Sequence, residues 1–317
     1  MNEKTACQIE AMKKQTIGVE VECNSITRQK AAKVAAEFFG TGRYENTAGR
    51  NGYMTWSAWD RQGREWKFQR DVSIAGPDNE KCEVVTPILT YDDIPAFQQL
   101  LRKLRKAGAQ SSPSRGCGVH IHIGLKSEAG DHNARTLRNL VNIMAAHETQ
   151  IGRAIKIDAG RTGHYCKVVN HKFLERLNRE KPATMADLED CWYEGNGADW
   201  SRHSHYNESR YHMINLHAAF TKKTIEFRLF QFSDPHDGKK GGIHAGEMKA
   251  YIQLCLAMSE LAKELNYASP RPQQTENEAY AFRCWMLRLG FIGKEFETAR
   301  KILLRNMDGN CAWRNGR

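Results

Sequence analysis

The sequence predicts an α+β fold with a largely antiparallel sheet. Three observations carry this reading: strands of period two recur along the first 232 residues, several of them are joined by hairpin-type turns, and everything after residue 243 has helical spacing only. Such a chain collects its helices to one side of its sheet.

The elements follow in order. Thr16-Ile-Gly-Val-Glu-Val-Glu22 alternates apolar Ile17, Val19 and Val21 with Gly18, Glu20 and Glu22, the pattern of a half-buried strand. An Ala-rich helix over 30–39 comes next, capped by Thr27 and stopped by Gly40. Aromatic-rich 53–59 and 65–70 flank Asp60-Arg-Gln-Gly63 as a hairpin, and Glu83-Val-Val-Thr-Pro87 ends a short strand. Thr90 with Asp93 opens an amphipathic helix carrying Ile94, Phe97, Leu100, Leu101 and Leu104, closed at Gly108. Strict alternation returns in Gly118-Val-His-Ile-His-Ile-Gly124, and helical spacing resumes over 133–157.

Between 161 and 210 the periodicity weakens. Short helices are expected at 171–180 and 184–192, followed by a polar stretch suited to a substrate loop. Residues 211–220 and 224–232 read as two antiparallel strands joined through Thr221-Lys-Lys223, and helices are expected over 243–265, 276–289 and 294–306. Ser269-Pro-Arg-Pro272 is the linker-like stretch, and there is no internal repeat. The expected division is a catalytic domain over 1–240 with a helical portion over 241–317 packed on it.

Composition excludes more than it selects. With 40% hydrophobic and 26% charged residues in 317, the chain is an ordinary globular protein. A net charge of +10 favours anionic partners, but the basic residues are dispersed. Arg102-Lys103, Arg105-Lys106 and Lys239-Lys240 come nearest to clusters, so a solvated basic surface accounts for most of the charge. Nine cysteines without a Cys-x-x-Cys spacing argue against a disulfide framework and a zinc ribbon. Residues 1–14 are polar and no run of ~18 apolar residues occurs, which points to the cytoplasm and away from membranes.

Chemistry concentrates on three strands that are far apart in sequence. Each carries two functional side chains at i and i+2, which share one face: Glu20 with Glu22, His120 with His122, Glu226 with Arg228. Taken singly, each pair could be the polar face of a solvated sheet, and Glu226 with Arg228 a surface ion pair of little value. Paired carboxylates also suit a divalent cation such as Mg²⁺, and paired imidazoles suit zinc or iron. Together, acids, imidazoles and a guanidinium suit a polyphosphate, with acids holding Mg²⁺ and Arg facing the transferring phosphoryl group. Neither a P-loop nor a Gly-x-Gly-x-x-Gly run is present, so a nucleotide would be bound by the sheet itself.

These strands resemble the amidoligase family, which has a glutamine-synthetase-like catalytic fold and is related to the γ-glutamylcysteine ligases. The resemblance is carried by Ile17-Gly-Val-Glu-Val-Glu22, Asp71-Val-Ser-Ile74, Cys82-Glu83-Val-Val-Thr-Pro87 and Gly116-Cys-Gly-Val-His120-Ile-His122. Arg161 with Tyr165-Cys166, and Arg210-Tyr211 and Asn215-Leu216 leading into Thr224-Ile-Glu226-Phe-Arg228, complete it. It spans residues 16–232, with Thr86 standing where the family often has Ser. It implies a half-open antiparallel barrel and ATP-driven formation of an amide from a carboxylate and an amine. On the matching positions, Glu20, Glu22 and Glu83 resemble acids that hold Mg²⁺ around the ATP phosphates. His120 or His122 would join the metal or phosphate shell, Glu226 would bind metal or orient substrate, and Arg228 would contact the phosphoryl group. Asp71, Arg161, Arg210 and Asn215 resemble residues of the cofactor pocket.

The leading expectation is therefore an ATP- and Mg²⁺-dependent ligase whose acid and amine are unidentified. Two others stand beside it: a metallohydrolase centred on His120 and His122, and a basic nucleic-acid-binding protein using its seven Trp residues.

Overall fold

The computed structural model describes residues 2–49, 52–235 and 241–313; Lys239-Lys240 lies outside them. In chain order the first half holds α1 (Glu3–Lys13), β1 (Gln15–Cys23), α2 (Arg28–Phe39), β2 (Tyr44–Asn46), β3 (Trp56–Trp59), β4 (Glu65–Gln69), β5 (Cys82–Val85), α3 (Ile94–Lys106), β6 (Val119–Ser127) and α4 (Ala134–Ile155). The second holds α5 (Ala159–His164), α6 (His171–Glu180), α7 (Met185–Gly195), β7 (Ile214–Asn215), α8 (His217–Thr221), β8 (Thr224–Phe230), α9 (Ala245–Glu264), α10 (Glu278–Arg288) and α11 (Glu297–Leu304). The strands order as β2-β3-β4-β5-β1-β6-β8-β7. The β1·β5, β2·β3, β3·β4, β4·β5 and β7·β8 pairs are antiparallel, as expected for this mixed α and β chain.

By its contacts the chain forms two compact units, one of residues 17–121 and 230–249, the other of 1–16, 122–229 and 250–317. The break at 121/122 falls inside β6, where no linker composition marks it.

In the unit of 17–121, α2 buries Ala31, Ala32, Ala35 and Ala36 and packs on β3, β4 and α3. Thr27 accepts from the Lys30 N–H at its start, and Gly40 closes it at φ +70°. The β3–β4 hairpin is held by Asp60, whose carboxylate accepts from the Gln62 and Arg64 N–H groups and from Trp66 Nε1. Arg64 reaches on to both carboxylate oxygens of Asp93 (2.8 and 2.9 Å), the acid of the capping box formed with Thr90 ahead of α3. The predicted apolar stripe of α3 is buried residue for residue.

In the other unit, α4 and α9 are tied by a buried polar chain. Gln15 Nε2 donates to the Leu256 carbonyl, Ser259 Oγ donates to Gln15 Oε1 (2.5 Å), and His132 lies with Nε2 2.8 Å from Ser259 Oγ and Nδ1 3.0 Å from Thr136 Oγ1. Each hydrogen bond offsets the cost of burying its partner, so the chain pins the start of α4 against α9.

One sequence expectation is corrected here. Residues 211–220 are not a full strand: only Ile214–Asn215 pairs with β8, and the chain then turns into α8. Asn215 Oδ1 accepts from the His217 N–H (2.9 Å), and Thr221 Oγ1 donates to the His217 carbonyl, so local bonds win over the ladder. Ala218 and Ala219, adjacent and both buried, suit that turn and not an alternating strand. The helix α1 and the short strand β2 were not foreseen. No described helix is long and apolar enough to cross a membrane.

Burial holds the His132 imidazole far below its ordinary range, at about 3, so it is neutral in the fold. The unfolded chain binds this proton first, near pH 6.5, so stability is full above that value and falls as pH drops towards 3. We predict that wild-type protein loses about 2 kcal/mol more than His132→Gln between pH 6.5 and 5 in urea unfolding. Equal losses would remove His132 from the acid response.

Candidate functional site

The acids of the first unit converge because of strand register. In the β1·β5 pair Glu22 lies opposite Glu83, and Glu83 in turn lies opposite Gln69 of β4. Glu22 is tied to one residue twice: its N–H donates to the Gly118 carbonyl (3.1 Å), and its Oε2 accepts from the Gly118 N–H (2.5 Å). His120 stands between two acids, Nδ1 3.1 Å from Glu20 Oε2 and Nε2 3.8 Å from Glu22 Oε1.

Two donor sets result. Glu20, Glu83 and His120 each offer an atom within 4.8 Å of the others, and so do Glu22, Asp71 and Glu83. Glu83 belongs to both. Asp71 is held by its own turn, its Oδ1 accepting from the Ser73 N–H and Oγ. The Gly118 and Asp71 segments approach closely through Gly116, at φ +65°, where an added Cβ would lie 2.7 Å from the Ser73 carbonyl. The resemblance placed Asp71 with the cofactor pocket; the structure places it among the candidate metal ligands.

Four carboxylates this close repel unless a cation lies among them, and a set of four acids with one imidazole matches the hard oxygen donors that Mg²⁺ takes. Soft or imidazole-rich sites, which suit zinc and iron, look different.

In the second unit the conspicuous group is Glu226. Its Oε1 accepts from Arg228 Nη1 (2.5 Å) and its Oε2 from Asn215 Nδ2 (2.5 Å), Asn215 being its register partner across β7·β8. The side chains of Glu226 and Arg228 are 3% and 5% exposed, which rules out a surface ion pair. Arg228 Nε also donates to the Tyr165 carbonyl (3.4 Å), and Arg161 Nη2 donates to the Arg228 carbonyl (2.9 Å). His122 lies with Nδ1 3.0 Å from Thr224 Oγ1 and Nε2 3.9 Å from Glu226 Oε1. Thus β6 carries His120 into one constellation and His122 into the other.

A cavity of about 230 Å³ opens beside Glu226 and Asn215, with Arg210, Lys222, His203, His205 and His217 in its lining. His217 was missed by sequence reasoning, since it follows a strand that the sequence seemed to continue. Its Nδ1 is 2.6 Å from the Tyr193 hydroxyl. Burial, reinforced by Arg210, holds its imidazole down to about 4, so it is neutral at neutral pH.

The strands thus gather carboxylate, imidazole and guanidinium side chains into two constellations. The family model described as "Putative amidoligase enzyme" matches residues 13–259, and the chain belongs to that family. No curated protein matches it. Among solved structures it is similar to a bifunctional glutathione synthetase from Pasteurella multocida, with 12% identity and a TM-score of 0.48 over 96% of this chain and 49% of that one. The chain therefore spans about half the length of that protein.

Two predictions follow from the geometry. Glu83→Gln weakens Mn²⁺ binding, read by electron paramagnetic resonance, by about 10-fold or more, because it removes a donor from both sets; unchanged affinity would dissolve the metal assignment. Arg228→Met strands the Glu226 charge and costs about 3–5 kcal/mol of unfolding free energy, most of which returns in the Glu226→Gln, Arg228→Met double variant.

Proposed function

We propose that the chain is a cytoplasmic ATP- and Mg²⁺-dependent carboxylate–amine ligase that works through an acyl phosphate. The observation that carries the reading is Glu83, a single carboxylate common to two donor sets on adjacent antiparallel strands, in a chain of the amidoligase family. We read its sheet as the half-open barrel of the glutamine synthetase type, in a catalytic portion over 1–240 with a helical portion over 241–317.

In this reading Glu20, Glu22, Asp71, Glu83 and His120 would hold the metal, which would supply positive charge against the ATP phosphates. A carboxylate oxygen of the acid substrate attacks the γ-phosphorus and ADP leaves. The amine nitrogen then attacks the acyl carbon, phosphate leaves with the electrons of the C–O bond, and the nitrogen loses a proton to give the amide. The protein's part is positioning and charge compensation. Glu226 and the Tyr165 carbonyl fix the Arg228 guanidinium, so that it can face a phosphoryl group without reorganising. His122, Asn215 and Arg161 support this arrangement from β6, β7 and α5. The metallohydrolase and nucleic-acid readings are less well supported, because oxygen donors outnumber imidazole in the metal sets and the basic residues are dispersed.

Hydroxylamine traps acyl phosphates whatever the natural amine. We predict that protein with ATP, Mg²⁺, hydroxylamine and a panel of amino acids, dicarboxylic acids and peptides releases ADP and hydroxamate, and that Glu20→Gln lowers both by about 100-fold or more. No ADP across the panel, or an undiminished signal in Glu20→Gln, would overturn the ligase reading. Tightly bound zinc or iron without any response to ATP would replace it with the hydrolase.

A further inference from the structure

Residues 165–169, between α5 and α6, form a strap that is pinned along its length. Lys167 makes an isolated parallel bridge with His212: its N–H donates to the Tyr211 carbonyl (2.9 Å), and its carbonyl accepts from the Met213 N–H (2.7 Å). One step further, such a ladder would bring the Val169 N–H to the Met213 carbonyl. That carbonyl takes the Arg228 N–H instead (2.9 Å). The Val169 N–H donates to Glu148 Oε2 on α4 (2.8 Å), and His212 Nδ1 donates to the Val168 carbonyl (2.7 Å). At its other end the strap presents the Tyr165 carbonyl to Arg228 Nε (3.4 Å). It therefore joins α4 to Arg228.

Stability does not explain Glu148. Burial pushes its carboxyl up to about 7, with partial relief from the Val169 N–H. The unfolded chain releases this proton first, near 4.5, so the contribution of Glu148 to stability falls as pH rises from 4.5 to 7 and is constant above. The charges around it do not offset the cost. Arg153 of α4 is paired with Glu278 of α10, and Lys156 of α4 and Asp308 after α11 bring opposite signs to the cleft, of about 430 Å³, that Glu148 shares with Val168 and Met213. The nearby imidazoles are His147 of α4, stacked on Trp285 of α10 (3.9 Å), and His212. Burial, as the first cause, holds both below their ordinary 6.5, so both are neutral in the range where Glu148 acquires its charge.

We propose that Glu148 is a positioning residue for Arg228 and acts through the strap: its bond to the Val169 N–H holds residues 165–169 in place, and the Tyr165 carbonyl in turn holds the guanidinium. This rests on the ligase reading for the use made of Arg228, but the mechanical link is observable without ATP. An amide N–H binds a carboxylate more strongly than a neutral acid. The strap is therefore tight above pH 7, where Glu148 is ionised, and slack below it.

Amide hydrogen exchange of the protein alone, read by mass spectrometry and corrected for the intrinsic effect of pH, tests the link. In wild type, peptides covering 165–169 and 224–230 exchange about 3- to 10-fold faster at pH 6.5 than at pH 8. Glu148→Gln, a lasting stand-in for the protonated acid, exchanges fast in both peptides at both values, while peptides from 17–121 match wild type. A wild type without the pH response, a variant that retains it, or a response at 165–169 that does not reach 224–230 would overturn the assignment. So would faster exchange throughout the variant, the sign of a merely structural residue. The hydroxamate assay then reads the consequence for Arg228. At pH 8 Glu148→Gln lowers kcat by about 10-fold with KM for ATP within about twofold of wild type, because the guanidinium is aimed at the transition state; at pH 6.5 the two proteins converge. Identical kcat profiles in the two would sink the positioning role. A wild type that releases no ADP removes the ligase reading, and exchange alone then decides whether Glu148 holds Arg228.

Discussion

Charged and polar side chains shut away from water on β1, β6 and β8 are the constraint to which the surrounding structure answers. The first face is ordinary: Val19, Val21, Val119, Ile121, Ile123, Ile225, Phe227 and Leu229 form core. The second would be solvated in a simple two-layer sheet, yet Glu22, His120, His122, Glu226 and Arg228 are all buried. A buried charge or polar group is costly unless it is paired or hydrogen-bonded, so each must find a partner. Glu22 takes the Gly118 N–H, which draws β1 and the start of β6 together and requires the close approach at Gly116. Glu226 takes Asn215 and Arg228. Asn215 spends its other side-chain atom on the His217 N–H, and that bond converts the expected strand into α8.

Period two made the functional pairs legible, because i and i+2 on a strand share a face whatever the tertiary structure. Helix ends were legible for a similar reason at Thr27 and Thr90, which cap through bonds within a few residues of chain. What depends on pairing was not. The register that sets Glu22 opposite Glu83 joins residues some sixty positions apart, and no local signal specifies it. Asp71 is the sharpest instance. It sits in a turn of its own making, and its place among the acids comes from a loop approach that only Gly116 permits. His217 was hidden by a related failure, since Asn215 competes with the ladder through its side chain, and alternation of apolar residues says nothing about that competition.

The overall charge of +10 gave no guide to the two constellations, because a net charge says nothing of how acids and bases are grouped. Residues 17–121 bring together Glu20, Glu22, Asp71 and Glu83 around one imidazole, a field that attracts cations. The cavity lined by Arg210 and Lys222 holds one acid, Glu226, and that acid is paired with Arg228.

The Glu226–Arg228 pair shows that this arrangement is not explained by stability. Removing two charges from water costs as much as their attraction returns, and apolar side chains of equal volume at such positions are often as stable or more so. Two hydrophobic residues on β8 would satisfy the fold, since Ile225, Phe227 and Leu229 already supply its core face. What apolar side chains could not do is hold a guanidinium at a set angle. Arg228 has its Nη1 fixed by Glu226, its Nε by the Tyr165 carbonyl and its guanidinium carbon 5.8 Å from the Tyr211 ring centroid, so its plane is fixed by the fold. An ion pair that is costly to the fold and restrictive of its own geometry is what the proposed preorganised Arg228 would require, with Glu226 as its buttress.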